Sequence, residues 1–306
     1  MANPVMTSLP LYVEQRRLPL IKEAVLTAKS ASLMNLQTDI KYQAALNLLS
    51  TDVQLQDGSE CGWSDSGTTT LSQRILTTGT IKVNQSFCDK DMLKYWTGYQ
   101  VKVAAGQKTL PFEEDFSNLI VEKVKEKVEK LIWQGDTEAT GSTANDLKWF
   151  DGLIKILGDA EGVVEANSAS GTSAYDAITA VYLAIPEKVL SKAVIFVGAD
   201  LFRNLMVEMV AKNYYHYPAN GMPAEEFILP GTNTKVIAVN GLNGTNTIVA
   251  ADPMNLFYGC DMMSDEEKFE LWYSMDFREF RLAIEFVAGV QVAFPNEVVL
   301  GQIATE

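Results

Sequence analysis

Residues 111–135 have the sequence PFEEDFSNLIVEKVKEKVEKLIWQG, and this stretch predicts the central helix of the fold. Its apolar residues recur every four positions, the spacing of one helix face, at Phe116, Ile120, Val124, Val128 and Ile132. The other face carries charge at Glu122, Lys123, Lys125, Glu126, Lys127, Glu129 and Lys130. With Thr109 as a cap, acidic residues in the first turn and Gly135 after the last, we expect a helix from Phe112 to Gln134, about 35 Å long.

The residues after this helix predict an α/β unit and then long strands. Helical patterns at 174–189 and 200–212 alternate with strand patterns at 193–197, 235–239 and 247–250, which is typical of a compact layered unit. Further on, apolar residues occupy every second position from Phe280 to Phe294. This alternation predicts a strand of roughly 50 Å, kinked at Gly289 and ended by Pro295.

The N-terminal segment predicts an extended arm with one amphipathic helix. Leu18, Ile21 and Val25 form a short helical stripe in a segment that also contains Pro19. The sequence offers this stripe no partner within its own chain, so we expect the three residues to contact a neighbouring subunit.

Residues 51–80 predict a hairpin of two short strands with little apolar pattern of its own. Its tip, residues 57–67, is rich in glycine, serine and aspartate but contains Trp63. Since tryptophan is enriched at interface hot spots, we expect Trp63 to anchor the tip on a neighbouring subunit. Arg74, on the returning strand, is a weaker candidate for an ion pair with that neighbour. The alternative is that Trp63 folds back onto its own hairpin.

A second candidate contact surface is the loop 213–230, which is long for a connection within a compact domain. Its aromatic residues suit an interface between subunits, and they are Tyr214, Tyr215, His216 and Tyr217. We expect these four residues to contact a neighbouring subunit.

Composition bounds the function. The chain has 306 residues, a net charge of −14 and a sequence pI near 4.6, which disfavours autonomous binding to nucleic acid. Three widely spaced cysteines argue against a disulfide framework. No signal peptide and no uncharged run of about 18 residues occurs. We therefore expect a soluble intracellular protein without a membrane span.

Motifs for catalysis, cofactors or metals are missing from the sequence. The one histidine, His216, lies in the aromatic loop without a nucleophile motif nearby. The three cysteines and one histidine lack the short spacing of a zinc site, and neither phosphate-binding glycine motif occurs. We predict no catalytic, cofactor-binding or metal-binding residues and no enzyme activity.

Several stretches, in their order along the chain, resemble the major capsid proteins of tailed bacteriophages. The resemblance covers most of the chain from about residue 40, and its motifs are structural. The stretches are IWQGD (132–136), FDGL (150–153), LPGT (229–232), KVIAV (235–239), NLFYGCD (255–261), FELWY (269–273) and FVAGVQVAFP (286–295).

The resemblance implies an α+β fold of the Hong Kong 97-like capsid type. It divides the chain into an N-terminal arm (1–50), an E-loop hairpin (51–82), a P-domain with the spine helix (83–149), an A-domain (150–255) and further P-domain strands (256–306).

That family builds icosahedral heads from pentamers and hexamers, in the host cytoplasm, and the heads enclose DNA without sequence-specific binding. The implied partners are further copies of the chain, a portal protein, a separate scaffolding protein and decoration proteins. Two alternatives remain open: an encapsulin-like nanocompartment shell, which shares the fold, and an α/β enzyme with an unrecognised site.

Overall fold

A computed structural model describes residues 4–56, 66–104, 112–141, 144–169, 171–212, 226–261 and 268–304. The helices are α1 (Pro4–Gln15), α2 (Arg17–Leu26), α3 (Lys29–Leu33), α4 (Asp89–Ala104), α5 (Phe112–Gln134), α6 (Ala144–Leu147), α7 (Leu153–Asp159), α8 (Ala174–Ala184) and α9 (Ala199–Ala211). The strands are β1 (Asn35–Gln37), β2 (Gln43–Asp52), β3 (Thr68–Thr77), β4 (Gly79–Cys88), β5 (Val164–Glu165), β6 (Val194–Gly198), β7 (Glu226–Ile228), β8 (Lys235–Val239), β9 (Thr247–Ala251), β10 (Leu256–Cys260), β11 (Lys268–Ser274), β12 (Glu279–Val292) and β13 (Val299–Gln302). The fold is mixed α+β.

The helix α5 has the predicted bounds, and its apolar stripe is buried from Ile120 to Ile132. Its first turn carries Glu113, Glu114 and Asp115, which favour the positive end of the helix dipole. After Gln134 the backbone N–H of Gly135 donates to the carbonyl of Leu131 at 2.9 Å. The helix thus contributes to one large core shared with both main sheets.

The strand β12 is the centre of a five-stranded sheet. It pairs antiparallel with β4, β10 and β11, and β1 continues the sheet beyond β10. Every second residue from Phe280 to Val292 is buried, as the alternation predicts, but Val287 and Gly289 between them are buried as well, so the strand is covered on both faces at this end. A side chain at Gly289 would overlap the carbonyl oxygen of Thr77, so glycine permits the end of β3 to approach β12 closely there.

A six-stranded sheet has the order β5-β13-β9-β6-β8-β7 and forms the predicted α/β unit. The helices α8 and α9 cover one face through Ile195 and Val236, while Phe196 and Val249 on the other face join the core of α5 and α7. The expectation that residues 256–306 form one set of strands is wrong at β13, which pairs with β9 of this sheet. Apolar alternation identifies a strand but not the sheet that it joins.

The hairpin of β2 and β3 is longer than predicted and begins at Gln43, inside the segment assigned to the arm. Its base is also supported. Leu46 and Leu76 are buried with Ile40, and Phe257 packs against them. The prediction missed this support because the packing partners come from distant segments of the chain.

The helices α1, α2 and α3 pack against α5 and β11 of the same chain. Leu9, Val13, Leu20, Ala24 and Val25 are all buried there. The expectation that the stripe lacks a partner in its own chain is therefore wrong at Val25, which is fully buried. The side chains of Leu18 and Ile21 lie outside the described residues. The sequence pattern could not show that α5 and β11 have apolar surface left for this segment.

Candidate assembly surfaces and a buried polar joint

One face of the β2–β3 hairpin carries exposed apolar pairs. In the antiparallel register Leu49 lies opposite Leu71, and Ala45 lies opposite Ile75, with the hydrogen-bonded polar pair Asn47–Gln73 between them. Side chains directly opposite each other contact across the strands, so the two apolar pairs form a short, interrupted apolar ladder. The ladder is open to solvent, since Leu71 is 81% exposed, Leu49 62% and Ile75 53%. No other described residue of the chain covers it.

A groove of about 570 Å³ runs between α5 and β4. Its floor is apolar and includes Ile81 and Val124, and Phe87 meets Phe116 edge-on with ring centroids 5.2 Å apart. The lysines Lys82, Lys123 and Lys127 also line it, as do Leu119, Asp146 and Trp149. An apolar channel bordered by cations suits an apolar segment that carries acidic residues.

The structure brings few of the predicted contact residues to these surfaces. Trp63 and the four aromatic residues of the loop 213–230 lie outside the described residues. Arg74 is half-buried on the inner face of the hairpin, where its Nη1 donates to the carbonyl of Val292 at 3.3 Å. This contact uses one of the five N–H donors of the guanidinium, so the ion pair of Arg74 with a neighbour stays a prediction.

A buried polar joint connects α3 to α5, and the sequence analysis missed it. Glu129, assigned there to the solvated face of the helix, is only 5% exposed. Its carboxylate accepts hydrogen bonds from the backbone N–H of Ser30 at 3.0 Å and from the Ser30 hydroxyl at 2.5 Å. The same hydroxyl accepts from Nε1 of Trp133 at 2.6 Å. Beside it, Nζ of Lys29 donates to the carbonyl of Ala238 in β8 at 2.8 Å.

The electrostatics of this joint are dominated by desolvation. Burial raises the pKa of Glu129 above its ordinary value, and the hydrogen bonds from Ser30 and the charges of Lys29 and Lys125 oppose the rise. A sequence signal did exist. Val121 precedes Lys125 by four residues and Trp133 follows Glu129 by four residues, so these side chains share one row along the helix. Both ends of this row are apolar, although its middle was assigned to solvent.

A second charged cluster surrounds Lys155 on α7. Its Nζ contacts carboxylates of Asp136 at 2.5 Å, Glu138 at 3.3 Å and Asp151 at 3.4 Å. The hydrogen bond from Lys155 lowers the pKa of Asp136, and the same bond raises the pKa of Lys155. The cluster ties α7 to the segment after α5, which is a structural role.

The described ranges contain neither a group of metal-ligating side chains nor a helix suited to cross a membrane. Within them, no three or more histidine, cysteine, aspartate or glutamate side chains are grouped so that they could hold a metal ion. No described helix combines the length and the apolar character needed to cross a membrane.

Comparison with known proteins finds matches among solved structures only. No protein-family model matches the chain, and no curated protein sequence matches it. A chain of the satellite phage P4 procapsid that includes the size determination (Sid) protein aligns with a TM-score of 0.61 and 11% identity, covering 96% of this chain and 100% of that one. A chain of Gordonia phage Cozz aligns with a TM-score of 0.57 and 12% identity, covering 91% of this chain and 87% of that one.

A capsid chain of an empty GTA particle is a third similar structure, with a TM-score of 0.56 and 10% identity over 91% of this chain and 90% of that one. At such low identity the likeness concerns the fold. The structural neighbours are phage capsid proteins, and this chain has their fold over nearly its whole length.

Proposed function

We propose that this chain is the major capsid protein of a tailed bacteriophage, with a structural and not a catalytic role. In this proposal it has the Hong Kong 97-like fold and assembles into pentamers and hexamers of an icosahedral head that encloses DNA. The observation that carries the proposal is the exposed apolar ladder of the β2–β3 hairpin, on a fold shared with capsid chains. In an isolated protein this apolar face would stay in contact with water, whereas a subunit of a shell buries it against a neighbouring subunit.

The proposal also assigns the elements of the chain to the domains of that fold. The E-loop corresponds to the hairpin Gln43–Thr77, and the arm is reduced to the segment before it. The A-domain is the unit around the six-stranded sheet and includes β13, while β4, α5 and the sheet of β12 form the P-domain. The loop 213–230, with its tyrosines, is assigned to the A-domain end nearest the capsomer axis.

The hairpin of one copy fits the groove between α5 and β4 of another copy. Residues 43–73 contain four acidic residues, Asp52, Asp57, Glu60 and Asp65, and neither lysine nor arginine. The groove offers the complement, an apolar floor with Lys82, Lys123 and Lys127 along its length. Apolar burial supplies affinity in such a pairing, and the opposite charges set orientation and exclude wrong registers.

The partners in the proposal are further copies of the chain, a portal protein, a separate scaffolding protein and decoration proteins. The net charge of −14 suits a container into which DNA is packaged without sequence-specific contacts. An encapsulin-like shell would share the fold and the hairpin contact. Purified shells that contain DNA or a portal ring favour the phage head, whereas shells around a cargo enzyme favour the nanocompartment.

The test replaces Leu71 by serine in the full chain. Because Leu71 is exposed, we expect the free energy of subunit unfolding to change by less than about 0.5 kcal/mol. Electron microscopy should nevertheless show far fewer closed shells, since each hairpin contact loses apolar area.

Two comparison variants separate a loss of assembly from a loss of subunit stability. Ser72→Ala alters the next residue, which lies on the opposite hairpin face, and should assemble normally. Leu76→Ala removes a fully buried side chain and should destabilise the subunit itself by about 2–5 kcal/mol. Shells of normal yield and thermal stability from Leu71→Ser would contradict the proposed hairpin contact.

A further inference from the structure

We propose that Glu129 and Ser30, together with Trp133, form a proton-sensitive latch that holds the N-terminal helices on α5 more tightly at low pH than at high pH. All of its contacts lie within one chain. The inference therefore stands apart from the proposed capsid function and can fail or succeed independently of it.

The geometry is that of a latch because three distant segments meet at one point. Ser30 and Glu129 are 99 residues apart in sequence, and both the backbone N–H and the hydroxyl of Ser30 donate to the same carboxylate. Lys29, the neighbouring residue, ties α3 to β8 through the carbonyl of Ala238. A side chain at Gly241 would overlap the Glu129 carbonyl oxygen and the Trp133 ring, so the 3-10 turn that follows β8 closes the joint from its side.

These hydrogen bonds keep their partners when Glu129 takes up a proton. A serine hydroxyl has one proton and two lone pairs, and here it accepts from Trp133 while it donates to Glu129. A neutral carboxyl group still accepts from Ser30 and can donate to the remaining lone pair of its hydroxyl. Protonation therefore removes the buried charge without breaking the joint.

Proton access and the surrounding charges can be identified. A cavity of about 240 Å³ opens beside the joint and is lined by Lys29, Glu122, Lys125, Glu126 and Glu129. The cations Lys29 and Lys125 favour the ionised form of Glu129, and the carboxylates Glu122 and Glu126 line the same cavity. Desolvation outweighs the cations, and as a result the pKa of Glu129 in the docked state is raised.

The sign of the effect follows from linkage. When α3 leaves α5, Glu129 is exposed and its pKa returns to the ordinary value, so docking takes up protons. The docked state has its full advantage below the ordinary pKa of a glutamate. That advantage declines as pH rises and reaches its lower plateau above the raised pKa of the docked state. One proton limits the change in the docking equilibrium to about tenfold per pH unit.

The experiment measures hydrogen-exchange protection factors of the α3 amides, above all that of Ser30, in the full chain over a pH series. Protection factors are divided by the intrinsic exchange rate at each pH, and the amides of β12 serve as an internal reference. Wild-type protection in α3 should fall as pH rises and then level off. Glu129→Gln keeps one of the two acceptor oxygens and cannot ionise, so its protection in α3 should not change with pH.

A flat wild-type profile, or an equal slope in Glu129→Gln, would overturn the latch. Lys29→Met keeps the proposal testable if Glu129→Gln fails to fold. Removing the nearest cation disfavours the ionised carboxylate further, so the wild-type fall in protection should move to higher pH. A profile left in place by Lys29→Met would also overturn the proposal, because Glu129 would then not be the titrating group.

Discussion

Ser30 is the residue at which the buried polar contacts of the N-terminal helices converge. Its hydroxyl joins Trp133 to Glu129, and its backbone N–H reaches the same carboxylate. Ser30→Ala leaves the indole N–H without this acceptor and removes one donor from the carboxylate. A buried polar group without its partner costs about 1–3 kcal/mol, so we expect the free energy of unfolding to fall by that amount.

Urea denaturation of the full chain measures this loss, and Ser32→Ala is the matched control on the same short helix. The Ser32 hydroxyl is exposed and donates only to the carbonyl of Lys29 at 2.7 Å. Its removal should leave the midpoint of unfolding almost unchanged. Equal midpoints for Ser30→Ala and wild type would mean that water or another group satisfies Trp133 and Glu129.

The burial of individual side chains was the feature that the sequence predicted least well. Glu129 lies in a run of lysine and glutamate and was assigned to solvent, because a helical pattern gives a period and not the width of the covered face. The helix α3 packs against α5 and covers part of the face that was assigned to solvent. With five residues, α3 is too short for a sequence pattern that would show where it packs. The contact of Arg74 within the chain could not be predicted either, because its acceptor, the Val292 carbonyl, is 218 residues away.

At the scale of elements, prediction worked where one face of a long element is buried. The bounds of α5 and the alternation of β12 followed from residues in a single stretch. The outer part of the hairpin has no buried face within the chain, so β2 and β3 left no apolar alternation that would show their length. The sheet to which β13 belongs also depends on β9, about fifty residues earlier.

The N-terminal helices supply the element-scale prediction. An N-terminal arm without a partner in its own chain, as the sequence predicts, implies that removal of residues 1–28 leaves the domains folded but abolishes closed shells. Packing changes the expectation, because Leu9, Val13 and Leu20 are buried against the body of the same chain. Each such side chain contributes about 1.5–3 kcal/mol, a large share of a typical stability of about 5–15 kcal/mol.

We therefore expect the chain without residues 1–28 to be destabilised as a subunit, with a clearly lower melting temperature and increased binding of an apolar dye. Deletion of residues 1–3, which precede α1, is the control and should melt like the full chain. A body that melts within a few degrees of the full chain but forms no shells would restore the original expectation, with the helices acting between subunits.

At the scale of the whole molecule, α5 packs against both sheets and joins them through one shared core. Its residues share a core with the five-stranded sheet through Phe286 and with the six-stranded sheet through Phe196, whose ring lies 5.4 Å from that of Trp133. Against this body the outer hairpin projects with its apolar ladder uncovered. The division between a self-sufficient body and a projecting hairpin is what a lattice subunit requires, since folding and assembly then depend on different residues.

Trp63 lies outside the described residues, in the tip that the sequence predicts between β2 and β3, and its effect should appear only in the assembled particle. The tip has too few apolar residues to form a core, so Trp63 without a partner would leave a large apolar area in water. Truncation of a tryptophan hot spot costs about 2 kcal/mol or more, and in a closed shell the loss recurs at every equivalent contact. Trp63→Ala should thus spare the subunit melting temperature but lower the yield or thermal stability of shells, with Ser64→Ala as the neighbouring control. If instead the Trp63→Ala subunit unfolds while its remaining shells are as stable as wild type, Trp63 packs within its own subunit, and the assembly contact must come from the Leu49–Leu71 ladder alone.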